Sequence, residues 1–197
     1  MQGDLVSPER AQAVILFAHG SGSSRFSRRN RHVAEELNRA GFATLLFDLL
    51  TPEEDQFVEN RFDIPLLAER LVAATEWVRC KAEVDGLPVG YFGASTGAAA
   101  ALEAVARDKG IYAVVSRGGR PDLAGDSLEK VRCWVLLIVG GEDHEVLRLN
   151  RAAQLRMETE VELAVVPGAT HLFEEPGALE EVSRLAKNWF AAHLCVK

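Results

Sequence analysis

The sequence predicts an α/β fold, in which a mostly parallel sheet carries helices on both faces. The apolar runs are short and lack the polar alternation of strands that face water on one side, so both faces of the sheet should be buried. Stretches with apolar residues at helical spacing separate these runs and supply the crossovers that parallel strands need. Because the 197 residues contain no repeat, linker or low-complexity tract, we expect a single domain over residues 1–197.

The strands follow in chain order after a polar leader. Residues 14–18 form an uninterrupted apolar run that ends in the glycine-rich loop His19-Gly20-Ser21-Gly22. The second run carries Asp48 near its end, and the fifth, from Cys133 to Val139, gives the strongest strand prediction. Strands are predicted at residues 14–18, 43–50, 89–92, 112–116, 133–139 and 161–166.

The predicted helices have apolar stripes and end near glycine or proline. In the first, Val33, Ala34 and Leu37 recur at helical spacing before Gly41. The third contains the alanine run 98–101, a smooth surface that allows close packing on a sheet. Helices are predicted at residues 30–40, 64–83, 96–109, 146–157 and 178–193, with a long loop at 117–127.

Charge and hydropathy exclude two classes of partner. The net charge is −7, and the only basic cluster lies within residues 25–31, so no nucleic-acid partner is expected. We interpret that cluster as a solvated helix start. No apolar run is long enough to cross a bilayer, and the first residues lack the features of a secretory signal. We therefore expect no membrane association and a cytoplasmic location.

The cysteines Cys80, Cys133 and Cys195 are widely spaced, in neither a metal-ligand nor a disulfide pattern. We expect them to be reduced packing residues. Neither a paired-cysteine motif nor H-E-x-x-H is present, so no metal and no cofactor are predicted.

The segment Gly93-Ala94-Ser95-Thr96-Gly97 joins a predicted strand directly to a predicted helix. A serine on such a tight turn holds its hydroxyl clear of the sheet only when small residues flank it, because the backbone there is strained. Glycine two positions before and two positions after the serine provides that room. The segment therefore predicts a nucleophile elbow with Ser95 as the nucleophile.

Two later strands end at residues that complete a catalytic set. A serine hydroxyl needs a base to take its proton, and the base needs a carboxylate that orients it. Asp143 lies just after the predicted strand 133–139, and His171 follows the predicted strand 161–166. Active residues of open α/β sheets lie beyond the carboxyl ends of the strands. The chain order Ser95, Asp143, His171 thus predicts a catalytic triad.

Other interpretations of these residues stay open. Asp143 also suits the cap position of the following helix, and His171 is compatible with a structural role. His144 competes as the base, although its acidic neighbours indicate an exposed position. The turn at residues 20–22 resembles a phosphate-binding turn with Asp48 near the place of a ribose ligand, but the third glycine of a dinucleotide motif is absent.

Four segments together resemble the α/β-hydrolase superfamily and, within it, the small dienelactone-hydrolase-like serine hydrolases. They are residues 17–22, 93–97, 138–143 and 166–173, and the similarity covers nearly the whole chain. Dienelactone hydrolases proper carry a cysteine nucleophile, whereas the elbow here holds Ser95, which favours ordinary ester chemistry. The tail of the chain also resembles hydrolase domains that in some bacteria accompany a phosphoribosyltransferase.

The resemblance implies a serine hydrolase that cleaves small carboxylic esters, or else lactones or thioesters, through Ser95, His171 and Asp143. The oxyanion is expected to receive hydrogen bonds from the backbone N–H groups of Thr96 and Ser21. Only about ten residues occupy the place where this fold often inserts a cap, so no large cap is expected.

His19, Arg117 and Arg120 are the candidate substrate-binding residues, and we expect the arginines near the rim of the site. The loop after the second strand, with Phe57 and Phe62, is expected to supply an apolar wall. The alternatives are a catalytically silent protein with the hydrolase fold and a nucleotide-binding α/β protein.

Overall fold

Seven strands form one sheet in the computed structural model, which describes residues 2–194. They are β1 (Gly3–Val6), β2 (Val14–Ala18), β3 (Ala43–Phe47), β4 (Val89–Ala94), β5 (Ile111–Arg117), β6 (Trp134–Gly140) and β7 (Val161–Val166). The strand order is β1-β3-β2-β4-β5-β6-β7, and every neighbouring pair except β1–β3 is parallel. The predicted mostly parallel sheet is confirmed, with β4 at its centre.

Strand β1 is the element that the sequence did not predict, since the polar leader is an antiparallel edge strand on β3. Its residues are largely exposed and too few to show a pattern, so pairing with β3 and not local hydrophobicity determines the structure. Gly3 is required there, because a Cβ atom on it would lie 2.8 Å from Cβ of Phe47.

Helices cover both faces of the sheet. They are α1 (Arg28–Arg39), α2 (Ile64–Arg79), α3 (Thr96–Arg107), α4 (His144–Arg156) and α5 (Ala178–Ala192). Helices α1 and α5 pack together over one apolar core, and α2, α3 and α4 cover the second core on the other face. The alanines at 98–101 are fully buried because α3 lies between the sheet and α2. The double-sided arrangement predicted from the sequence is therefore present.

Three connections contain 3-10 turns, and the one between α2 and β4 has its turn at Ala82–Val84. The segment between β3 and α2 has such turns at Glu54–Gln56 and Val58–Phe62. The predicted loop after β5 becomes 3-10 turns over Pro121–Lys130 that pack against α3 and α4. This segment has no room for a cap domain, so the carboxyl edge of the sheet stays open.

The cysteines differ in their surroundings. Cys133 is buried, and burial raises the pKa of its thiol to about 12. Cys80 is exposed at the end of α2, so the expectation that it is a packing residue is wrong, and Cys195 lies outside the described residues. Between residues 2 and 194, no helix is both long enough and apolar enough to cross a membrane.

Candidate active site

Ser95 occupies a strained turn between β4 and α3. Its φ of 51° and ψ of −120° are unusual for a residue with a side chain. A Cβ atom on Gly93 would lie 2.5 Å from Cα of Ala98, and one on Gly97 would lie 2.1 Å from the carbonyl oxygen of Ala18. Helix α3 therefore begins pressed against both β4 and the end of β2, and only glycine fits at these two positions. The side chain of Ser95 lies at the carboxyl edge of the sheet and is partly exposed.

Asp143 and His171 form a hydrogen-bonded pair at the same edge. Nδ1 of His171 lies 2.6 Å from Oδ2 of Asp143, and the two side chains are 39% and 15% exposed. Although Asp143 occupies the N-cap position of α4, its side chain makes no capping hydrogen bond. The carboxylate is thus directed to the imidazole and not to the helix. When the Nδ1 proton is donated to Asp143, Nε2 is left as the unprotonated nitrogen.

Backbone contacts between neighbouring loops hold this pair in place. The N–H of Glu142 donates to the carbonyl of Ala169 at 3.0 Å, which joins the loop after β6 to the loop after β7. A Cβ atom on Gly140 would lie 2.3 Å from the same carbonyl oxygen. Two residues beyond His171, Phe173 is 1% exposed and has a φ of 55°. The histidine loop is therefore anchored in the core at the cost of a strained backbone.

The loop after β5 connects the nucleophile turn to the histidine loop. The N–H of Arg120 donates to the carbonyl of Ser95 at 3.1 Å. A Cβ atom on Gly118 would lie 3.1 Å from the carbonyl oxygen of His171 and 3.5 Å from Cε1 of its ring, so this loop runs close to the histidine. Asn150 of α4, which is fully buried, donates from Nδ2 to the carbonyl of Gly119 at 2.9 Å. Sequence reasoning missed Asn150, because a lone asparagine inside a helix carries no local signal of such a contact.

The predicted oxyanion donors lie side by side. Thr96 is the first residue of α3, so its N–H has no acceptor within the helix. The N–H of Ser21 donates to Oγ1 of Thr96 at 2.9 Å. The glycine-rich loop after β2 is thus attached to the residue that follows the nucleophile. The threonine hydroxyl makes this attachment, which the sequence motif did not reveal.

His19 is buried next to this loop, with both ring nitrogens in hydrogen bonds to the backbone. Nε2 accepts from the N–H of Leu49 at 3.1 Å, and Nδ1 donates to the carbonyl of Gly20 at 3.0 Å. Burial lowers the pKa of His19 below its ordinary value of 6.5, which keeps the ring neutral. With both nitrogens engaged, the ring joins the ends of β2 and β3.

The two candidate arginines occupy different environments. Arg120 is partly exposed and pairs with Asp122 through two hydrogen bonds of 2.9 and 2.8 Å. Arg117 is only 8% exposed and ends β5 beneath the rim, on the side of the sheet that α1 covers. The expectation of a rim position therefore fits the location of Arg120 and differs from that of Arg117.

Comparison with known proteins adds to this geometry. The profile of the α/β hydrolase domain matches residues 11–192, which is most of the chain. The chain belongs to the α/β-hydrolase family. A solved structure of a dienelactone hydrolase from Anabaena variabilis is 54% identical, with a TM-score of 0.93 over 97% of this chain and 91% of that chain. The predicted fold and the resemblance to dienelactone hydrolases are thus confirmed.

Further relatives differ in length and similarity. The structure of Est1E from Butyrivibrio proteoclasticus shares the fold, with a TM-score of 0.82 at 18% identity over 99% of this chain and 94% of that chain. Two curated relatives from strains of Mycobacterium tuberculosis bear the provisional name phosphoribosyl transferase. They are 61% identical over 194 residues, which is 98% of this chain but only 44% of their own length. The chain thus spans less than half of these relatives.

A small cleft lies beside the nucleophile turn. Its polar lining comes from the loop after β2, Thr96 and the neighbouring side chains of Asp55 and Arg61. Its apolar lining is Leu49, Leu50 and Leu67. The predicted wall residues Phe57 and Phe62 are 62% and 55% exposed and lie outside this lining.

Two other candidates from the sequence, His144 and Asp48, take no part in the hydrogen bond between Asp143 and His171. His144 is exposed at the first position of α4. The carboxylate of Asp48 bonds to the side chain of Arg25 and accepts its backbone N–H at 2.8 Å. Asp48, the candidate ribose ligand, is therefore bonded to Arg25. Arg25 occupies the position of the third glycine of a dinucleotide motif.

Proposed function

We propose that this α/β hydrolase cleaves small carboxylic esters through an acyl-enzyme on Ser95, with His171 as the base and Asp143 as the acid. The supporting observation is the 2.6 Å hydrogen bond between His171 and Asp143 at the sheet edge that also carries the strained Ser95 turn. A carboxylate that orients an imidazole next to an elbow serine is the arrangement that activates a hydroxyl for acyl transfer.

The first step is the attack of Ser95 Oγ on the ester carbonyl carbon. Nε2 of His171 takes the hydroxyl proton, and Asp143 stabilises the imidazolium that forms. The C–O bond to the leaving alcohol then breaks, and His171 returns the proton to the alkoxide oxygen. Water repeats the sequence on the acyl-enzyme and releases the acid and the free serine.

The negative charge on the carbonyl oxygen is met by backbone donors. The N–H of Thr96 is the first donor and the N–H of Ser21 is the second, and one such donor typically contributes about 3 kcal/mol of transition-state stabilisation. Because Ser21 N–H already donates to Oγ1 of Thr96, it reaches the oxyanion by sharing this hydrogen bond or by giving it up. The threonine hydroxyl thus positions the second donor.

The size of the site favours short acyl groups. The cleft beside the elbow is small and has three leucines in its lining, and the short segment after β5 builds no lid over it. Lactones and thioesters present the same electrophilic carbonyl and belong to the proposed range. Arg120, at the rim, and His19, which shapes the cleft from below, are the proposed contacts on this side of the site.

We assign the transferase activity in the name of the mycobacterial relatives to the part of those proteins that this chain does not match. The matched region is a hydrolase domain with a serine elbow, and it accounts for 44% of those proteins. A nucleotide-binding protein needs a glycine-rich turn that binds phosphate. The turn in this chain lacks the third glycine of that motif.

The test combines active-site labelling with turnover. A fluorophosphonate probe should label the wild-type protein and the Ser7→Ala control, whose exposed serine lies at the opposite end of the sheet, but not Ser95→Ala. The wild type should hydrolyse 4-nitrophenyl acetate and butyrate faster than the dodecanoate ester. Absence of labelling and turnover in the wild type would support a catalytically silent protein, and a preference for dodecanoate would contradict the small site.

A further inference from the structure

Arg117 is a buried arginine whose charged group is incompletely bonded. Its Nε and Nη1 atoms are both inaccessible to solvent and have no hydrogen-bond partner within residues 2–194. Its Nη2 atom lies 3.4 Å from Oδ1 of Asn30, a long and weak contact. Burying a cation in this way is unfavourable unless a partner compensates for the lost water.

The neighbourhood of Arg117 adds positive charge. Arg29 lies in the first turn of α1 beside Asn30, and its Nε atom is also buried without a partner in the described part of the chain. Burial and, secondarily, the charge of Arg29 lower the pKa of Arg117 to about 10. Within residues 2–194, Arg29 pairs with the carboxylate of Glu174, at 2.9 Å from Nη1, and the side chain of Glu174 is 65% exposed. Such an exposed pair is weak and is readily exchanged for an incoming anion.

Two other arginines at this edge of the sheet are bonded to carboxylates. The guanidinium of Arg25 is bonded to Asp48 and Gln2, and that of Arg120 is bonded to both carboxylate oxygens of Asp122. Arg117 is the most buried of the three, and no carboxylate within residues 2–194 forms an ion pair with it. Arg25 and Arg120 thus have acidic partners, whereas the described part of the chain supplies none to Arg117.

We propose that Arg117 and Arg29, together with the start of α1, form a binding site for a small oxyanion group, either a carboxylate or a phosphate. The first N–H groups of a helix have no helical acceptors and favour an anion. At the start of α1, the side chain of Ser27 accepts the N–H of Asn30, which leaves the N–H groups of Arg28 and Arg29 without a helical acceptor. The partly exposed side chain of Arg29 gives access from solvent.

The backbone of Arg117 lies next to that of the nucleophile. The carbonyl of Arg117 accepts the N–H of Ser95 at 3.2 Å, and Arg117 pairs with Ala94 in the sheet. One source of the anion is therefore the acid group of an ester substrate, and this source rests on the proposed function. The other source is a free phosphate ion, which does not depend on it.

Anion binding is tested without reference to catalysis. Thermal unfolding is measured in phosphate-free buffer with added sodium phosphate or with sodium chloride of equal ionic strength. Phosphate should raise the Tm of the wild type by about 3 °C or more at saturation, because only the native state binds it. The rise should vanish in Arg117→Met and Arg29→Met and persist in Arg184→Met, which removes the same charge from the exposed face of α5. An equal rise in all variants, or none in the wild type, would overturn the proposal.

The source of the anion is tested by comparing two esters, 4-nitrophenyl hemisuccinate and 4-nitrophenyl butyrate. If the site takes the acid group of the substrate, Arg117→Met lowers the ratio of kcat/KM for hemisuccinate to that for butyrate by about tenfold or more, whereas Arg184→Met keeps the ratio. If the phosphate effect on Tm depends on Arg117 but the ratio is unchanged, the site binds free phosphate. Failure of the wild type to hydrolyse either ester counts against the proposed function and leaves the unfolding experiment decisive for the anion site.

A structural role for Arg117 and the proposed anion site predict opposite effects of Arg117→Met on the Tm. Without phosphate, Arg117→Met should have a Tm equal to or above that of the wild type, because it removes an uncompensated buried cation. A Tm several degrees lower would show that the guanidinium stabilises the fold and would contradict the proposal. If Arg117→Met fails to fold, that result contradicts the proposal in the same way, and Arg29→Met then reports on phosphate binding alone.

Discussion

Two histidines follow strands of the same sheet, and their surroundings differ. In the loop after β2, His19 is 9% exposed and both ring nitrogens bond to the backbone. In the loop after β7, the side chain of His171 is 39% exposed and its Nδ1 bonds to the carboxylate of Asp143. Both nitrogens of the His19 ring are bonded to peptide groups. The His171 ring is bonded to a carboxylate through one nitrogen and is partly accessible to solvent.

The difference shows which features separate a structural histidine from a catalytic one. A catalytic base must have one nitrogen available to a substrate, and its partner must stabilise the charge that it acquires. His19 meets neither condition, since burial disfavours its charged form and a carbonyl and an N–H hold its two nitrogens. Four variants test this contrast.

The largest effect is expected from His171→Ala. The loss of the proposed base should lower kcat/KM for 4-nitrophenyl butyrate by about 10⁴-fold or more, with little change in Tm because the ring is partly exposed. His144→Ala is the matched control, since it removes an exposed histidine next to Asp143. Equal activity losses in the two variants would contradict the assignment of His171 as the base.

His19→Ala should act on stability instead. It leaves the buried N–H of Leu49 and the carbonyl of Gly20 without their partner, which should lower the free energy of unfolding by about 2–3 kcal/mol. Urea unfolding followed by circular dichroism measures this change against His144→Ala, which should be nearly neutral. A fully stable His19→Ala variant with activity as low as that of His171→Ala would reverse the roles of the two histidines.

Thr96→Val should have a smaller effect, on catalysis. The variant removes the acceptor of Ser21 N–H and so releases the loop after β2 from the start of α3. The loss of one orienting hydrogen bond should lower kcat by about tenfold with KM nearly unchanged, and Thr96→Ser should restore the rate. Steady-state kinetics on the three proteins measure kcat and KM separately. A kcat of Thr96→Val equal to that of the wild type would contradict the positioning role of Thr96.

The smallest effect concerns the pH dependence of stability. The pKa of His19 is lower in the folded protein than its ordinary value of 6.5, so the unfolded chain takes up this proton first as the pH falls. The contribution of neutral His19 is thus fully present above pH 6.5 and is lost progressively below it. Between pH 7 and pH 5, the Tm of the wild type should fall more steeply than that of His19→Gln. Parallel slopes would show that His19 does not titrate in this way.

Much of the fold was readable from the sequence because buried parallel strands are apolar throughout and their crossovers have helical periodicity. The strand Val161–Val166 was predicted with its observed bounds, and the start of α2 was predicted at Ile64. The start of α1 was not, because Ser27 caps the helix three residues before the predicted first residue. Strand β1 was missed because its pairing with β3, forty residues away, leaves no local pattern.

The candidate site divides in the same way. Ser95, Asp143 and His171 have local signals, since each follows a strand in a small-residue turn. The burial of Arg117 has none, because a charged residue at a strand end is normally exposed, and its contact with Asn30 of α1 arises only in the folded chain. The hydroxyl of Thr96 and the amide of Asn150 likewise act across the fold and have no signature in the chain.

Helix α4 links the two ends of the proposed reaction machinery mechanically. Asp143 precedes its first residue, and two turns later Asn150 holds the carbonyl of Gly119, whose neighbour Arg120 bonds to the carbonyl of Ser95. A displacement of α4 would therefore carry the acid and the nucleophile turn in the same direction. Helix α4 thus holds the acid at its start and, through Asn150, the loop that is bonded to the nucleophile turn.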